Sequence, residues 1–170
     1  FIVRSMLSAG LDTTVYAIGN VLSCFADHPD EWEKLRADPS KARNAVEEVL
    51  RYDSPFQSFF RTTTRDVELA GQHIPAKTKI MMSLGAANRD PAFWEKPDVF
   101  DIDRNAAAHL GFGFGVHHCM GQAMARLELQ ALVTEMAKRI ERIEITGPAV
   151  RAVNNTLHGF ETLPLRVVAA

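Results

Sequence analysis

The 170-residue sequence has little cysteine, no excess of either charge and no long apolar run. Its two cysteines, Cys24 and Cys119, cannot build a disulfide scaffold. Their scarcity points to a reducing, cytoplasmic location. Lys+Arg number 19 and Asp+Glu 21, a formal net charge of −2. Proteins that grip nucleic acid by neutralising phosphates carry a basic excess, so no nucleic-acid partner is expected. No stretch approaches the roughly 18 apolar residues of a membrane span, and no membrane partner is expected. A GxxxxGK phosphate loop, a GxGxxG fingerprint and a CxxC pair are also absent. What is present is ordinary globular composition: 46% hydrophobic and 24% charged residues. That balance excludes disorder, collagen and coiled coil as descriptions of the whole chain.

The opening segment FIVRSMLSAGLDTT is already in a helical pattern, with no N-cap before it. We therefore expect the C-terminal part of a longer protein. The pattern predicts a helix over residues 1–27, with Ser5, Ser8 and Asp12 on one face. A second helix is expected over Pro29–Ala37, with proline in the first turn and acids early. A third is expected over 40–52, where Ala45, Val46, Val49 and Leu50 make an apolar stripe. Short β-prone runs follow at 57–64, 67–69 and 79–84. Residues 87–109 are rich in Pro and Asp and read as irregular, with Asn88 and Asn105 as turn candidates. A strong helix is expected over 120–142, then short strands and turns over 143–170. The fold class is α+β, mainly α with small β-sheets.

The segment HLGFGFGVHHCMGQAMARLE carries the most chemistry. Zinc suits it poorly, because adjacent His117, His118 and Cys119 cannot easily converge on one tetrahedral ion. A cysteine just before a helix N-terminus is a better thiolate, stabilised by the helix dipole and free amides. Gly113, Gly115 and Gly121 let a flat ligand approach the backbone closely. Phe112 is placed to shield the sulfur. A dry, hydrogen-bonded thiolate suits haem iron as an electron-donating axial ligand. The plainer alternative is a free cysteine buried in a glycine-rich turn, which is how Cys24 reads on its apolar helix.

The run Phe112-x-x-Gly115-x-His117-x-Cys119-x-Gly121 resembles the haem-binding signature of the cytochromes P-450, the haem-thiolate monooxygenases. Three other motifs support the resemblance. Glu48-Val49-Leu50-Arg51 looks like the family's ExxR pair, which an arginine from the irregular segment completes; Arg104 fits that place. Read from the residues alone, Glu48 and Arg51 make an ordinary i,i+3 surface pair. Ala9-Gly10-Leu11-Asp12-Thr13-Thr14 looks like the oxygen-side helix motif. There the resemblance implies a helix opened at Gly10, Thr13 as hydrogen-bond partner of the oxygen being activated, and Asp12 as proton relay. The plainer alternative is a threonine bonded back to its own helix beside a solvated aspartate. Arg61 and His117 match the family's haem-propionate partners; the alternative for Arg61 is a surface arginine on a β-edge.

The resemblance implies one partial domain over 1–170: oxygen-binding helix, ExxR helix, meander, Cys-ligand loop, proximal helix and C-terminal sheet. The N-terminal half of the family fold is absent from it. The implied cofactor is haem b ligated by Cys119. The implied reaction inserts one oxygen atom from O2 into a small organic substrate. Electrons would come from a ferredoxin with its reductase. At closer range RSMLSAGLDTT, FFRTTTRDVELAG and the run 154–164 are similar to soluble bacterial members that oxidise para-substituted benzoic acids. This implies a substrate carboxylate held by Arg4, Ser5 and Ser8, with Phe59 packed on the aromatic ring. Helix–helix contact is the alternative for the two serines. Two other functions compete. A peroxide-driven haem-thiolate enzyme needs no electron partner, but such enzymes tend to alter the Asp12-Thr13 pair. The non-enzymatic reading is a fragment that binds haem weakly or not at all.

Overall fold

The computed structural model of the chain describes residues 9–170. Arg4, Ser5 and Ser8 lie outside the described residues. Ala9 is helical, Gly10 is a turn, and helix α1 runs Leu11–Asp27. The continuous helix expected over 1–27 is thus interrupted at Gly10, a residue of low helix propensity. Helix α2 spans Pro29–Ala37, with Pro29 at its start, Asp30 and Glu31 in the first turn and Lys34 and Arg36 in the last. Each charge suits the helix end it occupies. Asp38 links this helix to the next. Its carboxylate accepts the Ser40 N–H, and a 3-10 turn over Pro39–Lys41 leads into helix α3, Ala42–Tyr52. The apolar stripe expected on this helix is buried, and so are Glu47, Glu48 and Arg51.

Strand β1, Ser58–Thr62, pairs antiparallel with β4, Lys79–Ser83, so that Phe59 opposes Met82 and Arg61 opposes Ile80. Between them β2, Val67–Leu69, and β3, Gln72–Ile74, form a second hairpin; β3 was not visible in the residue pattern. Leu84 does not extend β4. It opens a one-turn helix α4, Leu84–Ala87, capped by the Ser83 hydroxyl, which accepts the Ala86 N–H. An irregular segment and a 3-10 turn at Gly115–His117 lead to helix α5, Gln122–Arg139. The helix expected to reach 142 ends three residues early. Ile140–Ile145 is strand β5, paired antiparallel with β8, Leu165–Ala169. The Ile-Glu-Arg-Ile-Glu-Ile run buries Ile143 after a register shift between Ile140 and Arg142, and the Trp32 indole N–H is donated to the Glu141 carbonyl at 3.1 Å. Strand pairing has overridden helix propensity here. A last small sheet joins β6, Val150–Arg151, to β7, Phe160–Thr162.

The core lies where α1, α2, α3 and α5 meet. Val21, Leu35, Val46, Leu129 and Val133 are each at most 1% exposed, and Ile102 from the irregular segment joins them. Leu129, Val133, Met136 and Ala137 place one stripe of α5 inside. No helix among the described residues is long and apolar enough to cross a membrane. Cys24 is buried on α1; burial pushes its thiol up, reinforced by the Asp53 carboxylate.

Candidate active site

A cavity of about 1380 Å³ opens between the start of α1, strand β1, the glycine-rich loop and the first turns of α5. Ala9, Gly10 and Thr13 form one wall; Phe112, Gly113, His117, Cys119 and Gly121 form another. Phe59 and Arg61 enter from β1. Asp12 is exposed and lines no part of it, and Gly115 is also outside the lining. Most other walls are apolar. Phe114, Met120 and Met124 are 85%, 78% and 61% exposed on them, an unusual amount of uncovered apolar surface for one site.

The loop takes its shape from glycine. Gly113 and Gly115 have φ of +72° and +68°, conformations that residues with a Cβ rarely adopt. The reversal brings Cys119 back on Phe112, whose carbonyl accepts the Cys119 N–H at 2.9 Å. Cys119 is exposed to the cavity and lies three residues before α5 begins. The Gln122 N–H that opens this 18-residue helix is donated to the Cys119 carbonyl at 3.4 Å. On the facing wall the Thr13 hydroxyl donates to the Ala9 carbonyl at 2.8 Å, one turn back across Gly10. The Arg61 guanidinium donates to the Phe60 carbonyl at 2.9 Å and lies 5.9 Å from the Phe59 ring, which stacks on Phe56 at 4.5 Å.

Behind the loop, Glu48 and Arg51 are fully buried and paired face to face: Arg51 Nε and Nη2 donate to the two carboxylate oxygens at 2.7 and 2.8 Å. The rest of the Arg51 fork reaches the carbonyls of Asn88, Pro97 and Val99. Arg104 Nε donates to Glu48 at 3.2 Å, and its other nitrogens reach the carbonyls of Glu95, Lys96 and Val99. The three side chains thus form one buried network that holds the irregular segment on α3. This is a geometry for which a surface pair has no use.

Sequence reasoning missed four polar residues around the loop. Asn88, read there as a turn residue, is fully buried, and its side-chain oxygen accepts the Leu110 N–H at 2.7 Å. Glu47, His109 and Arg126 meet across 62 and 79 positions of sequence. No spacing rule links residues so far apart.

A haem fits the site. The cavity is large and mostly apolar, Cys119 lines it just before a helix N-terminus, and Arg61 and His117 line it as polar partners for carboxylates. Among the described residues no three or more His, Cys, Asp or Glu side chains gather to hold a metal ion. Cys119 as a single sulfur donor would suit a metal that a bound cofactor already carries.

A large apolar cavity facing a single cysteine marks the class of haem-thiolate proteins. The chain belongs to the Cytochrome P450 family, whose model matches residues 40–160. It is 55% identical to Cytochrome p450 CYP199A2 of Rhodopseudomonas palustris, over 99% of this chain and 41% of that protein. It is 40% identical to the beta-dihydromenaquinone-9 omega-hydroxylase of Mycobacterium tuberculosis strain H37Rv, over 95% of this chain and 33% of that protein. Among solved structures, Cytochrome P450 CYP109Q5 from Chondromyces apiculatus superposes with a TM-score of 0.93 at 38% identity, over 98% of this chain and 44% of that one. The chain therefore spans less than half the length of these relatives. Members of the family carry haem b on a cysteine thiolate.

Proposed function

We propose that the protein is a haem-thiolate monooxygenase that inserts one atom of O2 into a small organic substrate, with Cys119 as the iron ligand. One observation carries the reading: Cys119 and Thr13 line the same apolar cavity from facing elements. The reaction consumes substrate, O2, two electrons and two protons, and yields the oxygenated product and water. When bound, the haem supplies the redox chemistry, and a thiolate ligand favours O–O cleavage. The chain's own residues do the rest. Cys119, three residues before α5, presents its sulfur to the cavity. With the cavity filled by haem, Phe112 and the apolar walls would keep water from the sulfur. Arg61 and His117 bind the two haem carboxylates. The Thr13 hydroxyl, now donating to Ala9, turns by rotation about one bond to donate into the cavity. Asp12, exposed just before it, takes protons from solvent for delivery.

The substrate we propose is a small aromatic acid, a para-substituted benzoate, hydroxylated or O-demethylated at the para substituent. The support is the similarity of the 4–14, 59–71 and 154–164 segments to benzoate-oxidising members. The Phe59 ring, stacked on Phe56 at the cavity wall, is the described residue suited to pack on such a ring. A ferredoxin with its reductase is the proposed electron source, and a cytoplasmic location belongs to the same proposal.

The test is the reduced, CO-bound difference spectrum of the haem-loaded protein and of Cys119→Ser. The reading expects the long-wavelength band of a thiolate-ligated haem in the first and not in the second; its survival in Cys119→Ser removes Cys119 as ligand. A spin-state titration with para-methoxybenzoate tests the substrate, and the lack of any spectral shift removes the benzoate assignment. Turnover with H2O2 but not with a reductase system would favour the peroxide-driven alternative.

A further inference from the structure

Helix α3 offers two adjacent glutamates, and they serve different networks. Glu48 holds the irregular segment through Arg51 and Arg104. Glu47 reaches the cysteine loop from both sides. Arg126 Nε donates to Glu47 Oε1 at 2.6 Å and Nη2 to Oε2 at 3.1 Å, a two-pronged contact. His109 Nε2 meets Oε2 at 2.9 Å. His109 Nδ1 accepts the Gly111 N–H at 2.9 Å, so its proton is assigned to Nε2 and is donated to the carboxylate. The His109 side chain is fully buried.

His109 lies 10 residues before Cys119 and Arg126 lies 7 after it. One carboxylate therefore bridges the two ends of the segment that carries the sulfur. Phe112 is caught inside this bridge: the Arg126 guanidinium lies 4.5 Å from its ring centroid, and the His109 ring 5.7 Å. The carbonyl of Phe112 is the acceptor of the Cys119 N–H. The entry to the loop is seated tightly. A Cβ on Gly111 would stand 3.0 Å from the Leu50 carbonyl oxygen and 2.9 Å from Ser54 Oγ. Burial alone would raise the Glu47 carboxyl, but the hydrogen bonds from His109 and Arg126 outweigh it and hold it at about 2. The carboxylate thus stays charged throughout the neutral range. Past the clasp, the loop from Phe114 to Met120 is exposed.

We infer that the Glu47 carboxylate is a clasp that closes the Cys119 loop, and that Glu47, His109 and Arg126 are positioning residues for Phe112 and the sulfur. This rests on the haem-thiolate reading. Its consequence is that weakening the clasp frees the sulfur to leave the iron without unfolding the protein.

The test uses the haem-loaded protein, Glu47→Gln, Arg126→Gln and the double variant. It follows the CO-bound thiolate band with time at fixed mild heating, the global unfolding midpoint, and amide exchange over 110–122 with and without haem. Each single variant is expected to lose the band about tenfold faster, the factor for one charge-assisted hydrogen bond, below the temperature at which it unfolds. Amides over 110–122 are expected to exchange faster in both forms. The double variant is expected within about twofold of the worse single variant, because both changes open one contact. If Glu47→Gln does not accumulate, Arg126→Gln decides, since that side chain is 24% exposed. Wild-type rates of band loss in Arg126→Gln, or band loss only together with global unfolding, overturn the clasp. A wild-type protein without the thiolate band overturns instead the haem-thiolate reading, and the amide exchange then judges the clasp by itself.

Discussion

Replacing Arg51 by lysine keeps the charge and removes the fork, and the cost follows from the contacts. Arg51 makes hydrogen bonds to both oxygens of Glu48 and to the carbonyls of Asn88, Pro97 and Val99. The site is fully buried, so water cannot replace a lost partner. A lysine ammonium has only three N–H donors on one atom and leaves at least two of these five acceptors without it. Val99 keeps a second donor in Arg104, which softens the loss there. The guanidinium also lies 5.4 Å from the Trp94 ring centroid, a contact that a compact ammonium serves less well. At about 1.5–3 kcal/mol for each hydrogen bond to a charged group, Arg51→Lys is expected to cost about 3 kcal/mol or more. A domain's stability is only about 5–15 kcal/mol. Urea denaturation of the intact protein should show a lower midpoint with an unchanged slope. A loss under about 1 kcal/mol would refute the reasoning, because it would mean the fork's extra donors contribute nothing.

Three further predictions follow from the polar contacts and the glycines. The Glu47 carboxyl is held at about 2 against an ordinary 4.5. Its folded value is depressed, so its network adds stability above 4.5 that disappears as pH falls from 4.5 towards 2; the ceiling is about 3 kcal/mol. The midpoint gap between wild type and Glu47→Gln should accordingly be wide at about pH 6 and shrink at about pH 3; a gap independent of pH contradicts this. Asp53 is opposed by its burial, yet the hydrogen bonds from His158 and Arg151 hold its carboxyl below the usual range, and Arg151 also reaches Asn20 on α1. Asp53→Asn should loosen the β6–β7 hairpin at a cost of about 1.5–3 kcal/mol, read as faster exchange of the His158 and Ala152 amides, whose acceptors are the Pro55 and Gly159 carbonyls; unchanged exchange rejects it. A Cβ on Gly159 would enter the Tyr16 ring. Gly159→Ala should therefore cost about 1–3 kcal/mol by overpacking and lower the melting temperature, and Tyr16→Ala in the same chain should recover part of it; equal melting temperatures for wild type and Gly159→Ala defeat the prediction.

The sequence by itself determined the helices at Pro29–Ala37 and over most of 42–52 and 122–139, because proline placement, helix-end charges and apolar spacing are local signals. Part of the cysteine's surroundings was local too: residues of one loop stay close, and the cavity brings Phe112, His117 and Cys119 to one wall while Gly115 stays outside it. Local signals failed where a distant partner decided. Ile140–Arg142 left the helix to pair with β8, and Gln72–Ile74 became a strand against β2. Tertiary structure alone turned Glu48 and Arg51 from a possible surface pair into a fully buried network, since burial depends on what covers a helix face. It alone separated Thr13, inside the cavity, from neighbouring Asp12, outside it, because adjacent helical residues point about 100° apart. It alone joined Glu47 to His109 and Arg126, as contacts between residues 62 and 79 positions apart are set by how the helices pack and leave no periodicity in the chain.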